Sequence, residues 1–314
     1  MKKALLFPGQ GSQTVGMGKE LAEQFPAARA VFDEVDGALS QKLSSVIFDG
    51  PQEILTLTEN AQPAIMATSI AALRVLEKET GFSVREQAAF VLGHSLGEYS
   101  ALCAAGALTL SDTAKLLRLR GQAMQRAMPA GQGAMAALLG ADYALAKEIA
   151  DEAARTGVCV VANDNAPGQV VVSGAKAAVE RACEIAKSKG VKRAVLLDVS
   201  APFHCPLMAP AAQAMKEALA SAKISAPCVP LVTNVTASAE SNPDVIRRLL
   251  VEQVTGMVRW RESILYIKDQ GVTRAIEIGA GKVLAGLNKR IAPEMETSNV
   301  GIPADLAAMT GMEH

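Results

Sequence analysis

Short apolar runs closed by glycine or proline alternate along this chain with longer stretches of helically spaced apolar residues. That pattern predicts an α/β protein in which helices cover a parallel sheet. Residues 3–7 form one such run before Pro8-Gly9, residues 88–92 another before Gly93, and residues 229–233 and 272–278 two more. Residues 17–79 read as mostly helical, with breaks at Pro26, at Asp49-Gly50-Pro51 and at Pro63, and residues 64–73 are apolar enough for a buried helix. Thr109-Leu110-Ser111-Asp112 matches a capping box and opens a helix to about Met128. Residues 208–223, 244–254 and 282–290 also read as helices.

Between residues 128 and 198 the pattern becomes β-α-β-β-α-β. Strands are expected at 133–140, 158–162, 169–173 and 191–199, with helices at 143–155 and 175–189, the order of a ferredoxin-like unit. Gly131-Gln132-Gly133 offers an entry hinge and Ser200-Ala201-Pro202 a return point. Two domains are therefore expected: a large one of residues 1–127 and 199–314, and a small one of residues 128–198 that walls one side of a cleft.

The strand at 88–92 carries the first chemistry. It runs straight into Gly93-His94-Ser95-Leu96-Gly97 and an alanine-rich stretch, the strand–turn–helix setting of a nucleophile elbow. The glycines let helix and strand approach closely around a strained turn, and Ser95 then stands at a helix N-terminus, where developing negative charge is favoured.

Composition narrows the classes. With 31 basic and 32 acidic residues the net charge is -1, so neither nucleic acid nor a membrane is expected as a partner. Met1-Lys2-Lys3 imitates a signal peptide, but Pro8 ends the apolar run after four residues. No apolar stretch approaches the roughly 18–20 residues of a membrane span. Five scattered cysteines without a Cys-x-x-Cys suit reduced thiols, and the expected location is cytoplasmic, with no metal site. Gly9 and Gly11 lack the third glycine of a dinucleotide fingerprint, and Gly281-Lys282 lacks the first glycine and the Ser/Thr of a phosphate-binding loop.

Further residues draw notice. Arg120 lies beside the stripe of Leu117 and Met124, where it either snorkels outward over its stem, as periodicity alone favours, or needs a buried anion. His204, one of three histidines, sits in the loop Pro202-Phe203-His204-Cys205-Pro206, a setting suited to holding a side chain over a site. Cys205 is a weaker nucleophile candidate than Ser95, and His94 is expected to shape the elbow rather than act as base.

Taken together, Phe7-Pro8-Gly9-Gln10-Gly11-Ser12-Gln13, Gly93-His94-Ser95-Leu96-Gly97-Glu98-Tyr99, Met124 following Arg120-Gly121, and Pro202-Phe203-His204 resemble the malonyl-CoA:acyl carrier protein transacylases of bacterial fatty-acid synthesis, along essentially the whole chain. The resemblance implies an α/β-hydrolase-like large domain interrupted by the ferredoxin-like one. It implies Ser95 as nucleophile, His204 as general base, and a main-chain carbonyl at Gln253 orienting that base without an acidic third member; Asp198, just before the histidine loop, is not favoured. By the same resemblance the backbone amides of Gln10 and Leu96 form an oxyanion hole, Arg120 grips the malonyl carboxylate, Met124 and Phe203 line the acyl site, and Arg193 binds coenzyme or carrier.

The expected reaction is ping-pong transfer of malonyl from malonyl-CoA to acyl carrier protein; the coenzyme A thioester is the substrate and no cofactor is needed. The carriers of this family are acidic, so a basic patch is expected, with Lys187, Lys189, Lys192 and Arg193 in one cluster and Lys282, Lys289 and Arg290 in another. A monomer is expected. The rivals are a serine thioesterase or esterase, a transacylase of other acyl specificity in a polyketide pathway, and a carrier-binding scaffold without catalysis.

Overall fold

Ala4, Leu5, Leu6 and Phe7 have no solvent exposure, because the strand that carries them lies at the centre of a sheet covered on both faces. Alternation splits them: Leu5 and Phe7 join the larger helical core, Ala4 and Leu6 the smaller core opposite. Each large side chain buried this way contributes about 2 kcal/mol. The computed structural model describes residues 2–310. Among these residues the strands, in chain order, are β1 (Lys2–Phe7), β2 (Ala88–Gly93), β3 (Gly133–Leu139), β4 (Cys159–Ala166), β5 (Gln169–Ala175), β6 (Arg193–Leu196), β7 (Leu231–Val232), β8 (Ala239–Glu240), β9 (Val272–Ile278) and β10 (Glu296–Val300).

The fold is mixed α/β with two separate sheets. The first runs β10-β9-β1-β2-β7-β8, parallel throughout except for the β7/β8 pair. The second runs β4-β5-β3-β6 and is wholly antiparallel. Residues 128–198 thus fold in the expected β-α-β-β-α-β order, with helices Tyr143–Ala153 and Lys176–Ser188. Thr109 caps the helix Leu110–Arg126 as expected, accepting from the Asp112 amide at 3.1 Å. Among the described residues no helix is long and apolar enough to cross a membrane.

The differences have local causes. Pro63 does not break its segment: the helix Thr58–Thr80 runs through it, and burial over most of its length outweighs one lost backbone hydrogen bond. Strand β7 shrinks to two residues because Pro230 has no N–H to offer a ladder, though its carbonyl still accepts from Val91 at 3.1 Å. β10 was invisible to apolar patterning because Glu296-Thr297-Ser298-Asn299 is polar, as an edge strand with a single partner permits.

β4 runs past its expected end to Ala166, with two register shifts. These bulges matter for position, since they re-aim the side chains of the last turn of the strand. Asn163 and Asn165 face the cleft between the sheets. The same segment is tied to the start of the helix Trp260–Asp269: Asp164 N–H donates to the Val258 carbonyl at 3.0 Å, Val258 N–H to the Ala162 carbonyl at 2.8 Å, and the buried Asp164 carboxylate takes Arg261 at 2.7–3.1 Å.

Two glycines test this packing in opposite directions. Gly97→Ala places a Cβ 2.2 Å from the Phe7 carbonyl oxygen and is expected to cost at least ~2 kcal/mol, whereas Gly286, in an exposed helix interior with open space around it, should gain about 0.5–1 kcal/mol as alanine. Denaturant midpoints at unchanged slope measure both; a tolerated Gly97→Ala would contradict the close strand–helix approach.

Candidate active site

The elbow is built as tightly as its glycines demand. A Cβ on Gly93 would stand 1.9 Å from the Gly97 carbonyl carbon and oxygen, so β2 and the helix Gly97–Ala104 touch backbone to backbone. Between them Ser95 adopts φ 54°, a left-handed conformation costing a non-glycine residue ~1–3 kcal/mol. Asn234 holds it there. Its Oδ1 accepts from the Ser95 amide at 2.8 Å, and its Nδ2 donates to the Gly93 carbonyl at 2.7 Å.

His204 meets the serine from the opposite loop, also with positive φ, at 57°. Its Nε2 lies 2.8 Å from Ser95 Oγ, and its Nδ1 lies 2.9 Å from the Gln253 carbonyl and 3.2 Å from that of Gly256. Carbonyl oxygens only accept, so Nδ1 carries the proton and Nε2 is left to accept from the serine hydroxyl. The ring is 3% exposed, and burial, followed by the positive charge of Arg120, pushes its pKa down to about 3. A neutral imidazole is therefore poised as a base at neutral pH, oriented by main-chain carbonyls in place of an acid.

Arg120 does not snorkel: it is 1% exposed. Its Nη1 donates to Gln62 Oε1 at 2.8 Å, and its Nη2 to Gln253 Oε1 at 2.9 Å and to Ser95 Oγ at 3.2 Å. Tyr99 presents its ring 5.8 Å from the guanidinium carbon. Among the described residues none of these partners is a carboxylate, and the Arg120 Nε has no partner. Burial lowers the pKa of the group, yet a guanidinium stays charged. A desolvated cation thus lies against the Ser95 hydroxyl with hydrogen-bonding capacity to spare.

A cleft of about 360 Å³ opens above these groups, lined by Gln10, Ser95, Leu96, Arg120, Met124 and His204, with Phe203 beside them. Among the described residues neither the Gln10 nor the Leu96 backbone amide donates a hydrogen bond; Gln10 belongs to the turn after β1 and Leu96 to the elbow. Met124 is buried and accepts from Gln62 Nε2 at 3.7 Å. Arg193 is not among the cleft residues; it is exposed at the start of the edge strand β6. Asp198 lines the cleft, but the His204 ring nitrogens bond Ser95 and the Gln253 and Gly256 carbonyls instead. Cys205 is fully buried, with burial raising its thiol pKa, and His94 points away to Asn165 Oδ1 at 2.8 Å. Among the described residues no cluster of three His, Cys, Asp or Glu side chains could hold a metal ion.

Sequence reasoning left Asn234 and Gln62 unmarked and gave the Gln253 side chain and Glu98 no task. Asn234 had a signal, a polar residue just past the carboxyl end of the strand at 229–233, where open α/β sheets place their sites. Gln62 had none, since its meaning depends on Arg120 being buried across a helix pair.

A family model described as an acyl transferase domain matches residues 4–298. The chain is 50% identical over 303 residues to the malonyl CoA-acyl carrier protein transacylase of Bacillus subtilis strain 168, spanning 96% of this chain and 94% of that one. The crystal structure of an acyl-carrier-protein-S-malonyltransferase from Bartonella henselae matches with TM-score 0.96 and 57% identity over 98% of each chain. A type II PKS acyl-carrier protein in complex with its malonyl-transacylase matches with TM-score 0.95 and 40% identity over 99% of each. With such identity extending over nearly the full length of its relatives, the chain belongs to the acyl transferase family that includes the malonyl CoA-acyl carrier protein transacylases.

Proposed function

We propose that this chain transfers a malonyl group from coenzyme A to the phosphopantetheine thiol of an acyl carrier protein through a malonyl ester on Ser95. The carrying observation is one triangle of contacts: Ser95 Oγ lies 2.8 Å from a neutral histidine and 3.2 Å from a buried arginine that touches no acid. The names of the relatives point to the same substrates, and the complex with a type II PKS carrier adds polyketide carriers to those of fatty-acid synthesis as partners of this kind of enzyme.

In this reading His204 Nε2 takes the Ser95 proton as Oγ attacks the thioester carbonyl. The Gln10 and Leu96 amides hold the oxyanion, the elbow helix adds its N-terminal field, and the protonated His204 delivers its proton to the departing coenzyme A sulfur. The carrier thiol then enters, loses its proton to His204 and attacks the malonyl-serine ester, and Ser95 Oγ leaves with that proton. Arg120 binds the malonyl carboxylate through its free N–H capacity, with Met124 and Phe203 beside it. An acetyl group leaves that charge unpaired, which is the basis of selection. Main-chain orientation of His204, in place of a carboxylate, and a buried arginine both favour transfer over a hydrolase of neutral esters.

The division into an α/β-hydrolase-like domain of residues 1–127 and 199–314 and a ferredoxin-like domain of residues 128–198 has its own support. Strand order β4-β5-β3-β6 is that of a ferredoxin-like unit, and a separate apolar cluster draws its members from residues 134–194 alone. The small domain would cover the cleft and keep water from the ester. Arg193 serves coenzyme or carrier binding on the strand that leads into the cleft residues Leu197, Asp198 and Val199.

Initial rates with malonyl-CoA and carrier protein both varied should give parallel double-reciprocal lines; intersecting lines would contradict a covalent intermediate. Arg120→Ala should lower kcat/KM for malonyl-CoA about 100-fold, roughly 3 kcal/mol, while changing that for acetyl-CoA only a few-fold, and Arg120→Lys should not restore the difference. Equal losses on both thioesters would remove the arginine from selection.

The pH dependence follows from His204. A base whose pKa is depressed keeps its lone pair as pH falls through the usual 6.5 and loses it only near the folded value of about 3. Ser95 acylation by acetyl-CoA should therefore persist at least about one pH unit below 6.5, and Arg120→Gln should move that acid limb upward, since one cause of the depression is gone. An acid limb at 6.5 in the unmodified protein would contradict the burial argument.

A further inference from the structure

Glu98 is the second residue of the helix Gly97–Ala104, yet it is 1% exposed. Its Oε2 accepts from Gln253 Nε2 at 2.7 Å and from the Asn234 amide at 3.2 Å. Gln253 Nε2 also donates to the Ser95 carbonyl at 2.9 Å. The Ser95 carbonyl can only accept and Arg120 can only donate, so the Gln253 amide is fixed with its nitrogen toward Ser95 and Glu98 and its oxygen toward Arg120, whose Nη2 donates to it at 2.9 Å. A single side-chain amide thus separates a buried carboxylate from a buried guanidinium.

We propose that Glu98 is the counter-ion of Arg120, kept out of contact by the Gln253 amide, and that it takes up a proton from solvent when an acyl carboxylate occupies the guanidinium. The proposal rests on the malonyl reading above. Direct contact would consume the hydrogen-bonding capacity that the substrate needs, whereas the spacer offsets the buried charge and leaves the guanidinium edge free. When the malonyl carboxylate arrives, two anions share one cation in a desolvated space, and like charges there raise each other's affinity for a proton.

The surrounding groups decide where the proton goes. Arg120 from the helix Leu110–Arg126 and Tyr99 on the elbow helix already hold theirs, burial raising the Tyr99 phenol further. His204 from the facing loop starts from about 3, and His94 behind the elbow is also pushed down by burial. Glu98 starts closest to neutrality: burial pushes it up to about 7 against the opposing pull of Gln253, Asn234 and Arg120. Substrate charge raises it from there. The net charge of the buried cluster is then the same with and without the malonyl group.

Calorimetry on Ser95→Ala, which cannot be acylated, tests this in buffers of different ionisation enthalpy near pH 8. Acetyl-CoA carries the same coenzyme, so the difference between the two thioesters isolates the malonyl carboxylate. Malonyl-CoA should take up more than about half a proton per site beyond acetyl-CoA. That excess should vanish in Ser95→Ala/Glu98→Gln and survive in Ser95→Ala/His204→Gln. Should the Glu98 variant not fold, the histidine variant decides: loss of the excess there assigns the proton to His204 and overturns the proposal. Tight malonyl-CoA binding without excess uptake overturns the proposal alone. Malonyl-CoA binding no tighter than acetyl-CoA overturns the malonyl reading, and the proposal with it.

Discussion

A positive charge removed from water, with neutral amides and a hydroxyl as its hydrogen-bonding partners, is the constraint on which this site turns. Arg120 is 1% exposed and binds Gln62, Gln253 and Ser95 Oγ. A buried guanidinium without a carboxylate in contact is costly, and such a cost persists where the cation has a partner that comes and goes. The neighbouring features follow from it. Gln253 uses its main chain to orient His204 and its side chain to hold Arg120, so one residue positions both the imidazole and the guanidinium. The arginine in turn helps keep His204 unprotonated.

The elbow supplies the second requirement, a serine held rigidly where imidazole and guanidinium converge. Four non-glycine residues have positive φ among the described residues, and two of them are Ser95 and His204. Strain at Ser95 is sustained by backbone contacts at Gly93 and Gly97 and by the Asn234 clamp. The antiparallel sheet then closes the space from above. Its bulged strand β4 is fastened to the segment around Val258 and Arg261 and, through the His94–Asn165 hydrogen bond, to the elbow, so the cleft wall and the elbow are held in one frame.

Much of this was legible in the chain. Closed apolar runs located β1, β2 and β9, the capping box at Thr109 marked the start of the arginine helix, and the Gly-x-Ser-x-Gly turn pointed to Ser95. What stayed hidden depends on contacts between distant residues. Periodicity pointed Arg120 outward, because one turn of helix says nothing of what a second helix places against it. Gln62, Asn234 and the Glu98–Gln253 contact became meaningful only once four segments met. Polar β10 and the proline-shortened β7 escaped because sheet position, not composition, gives them their hydrogen bonds.

The central claim is that Ser95 carries the acyl group and that Arg120 chooses it. Intact-protein mass after brief incubation with malonyl-CoA, in parallel with acetyl-CoA and with Ser95→Ala, tests it most directly. A malonyl-sized increase that is weak with acetyl-CoA and absent from Ser95→Ala is the predicted result. Steady release of coenzyme A without any adduct, or an adduct that survives Ser95→Ala, would contradict it.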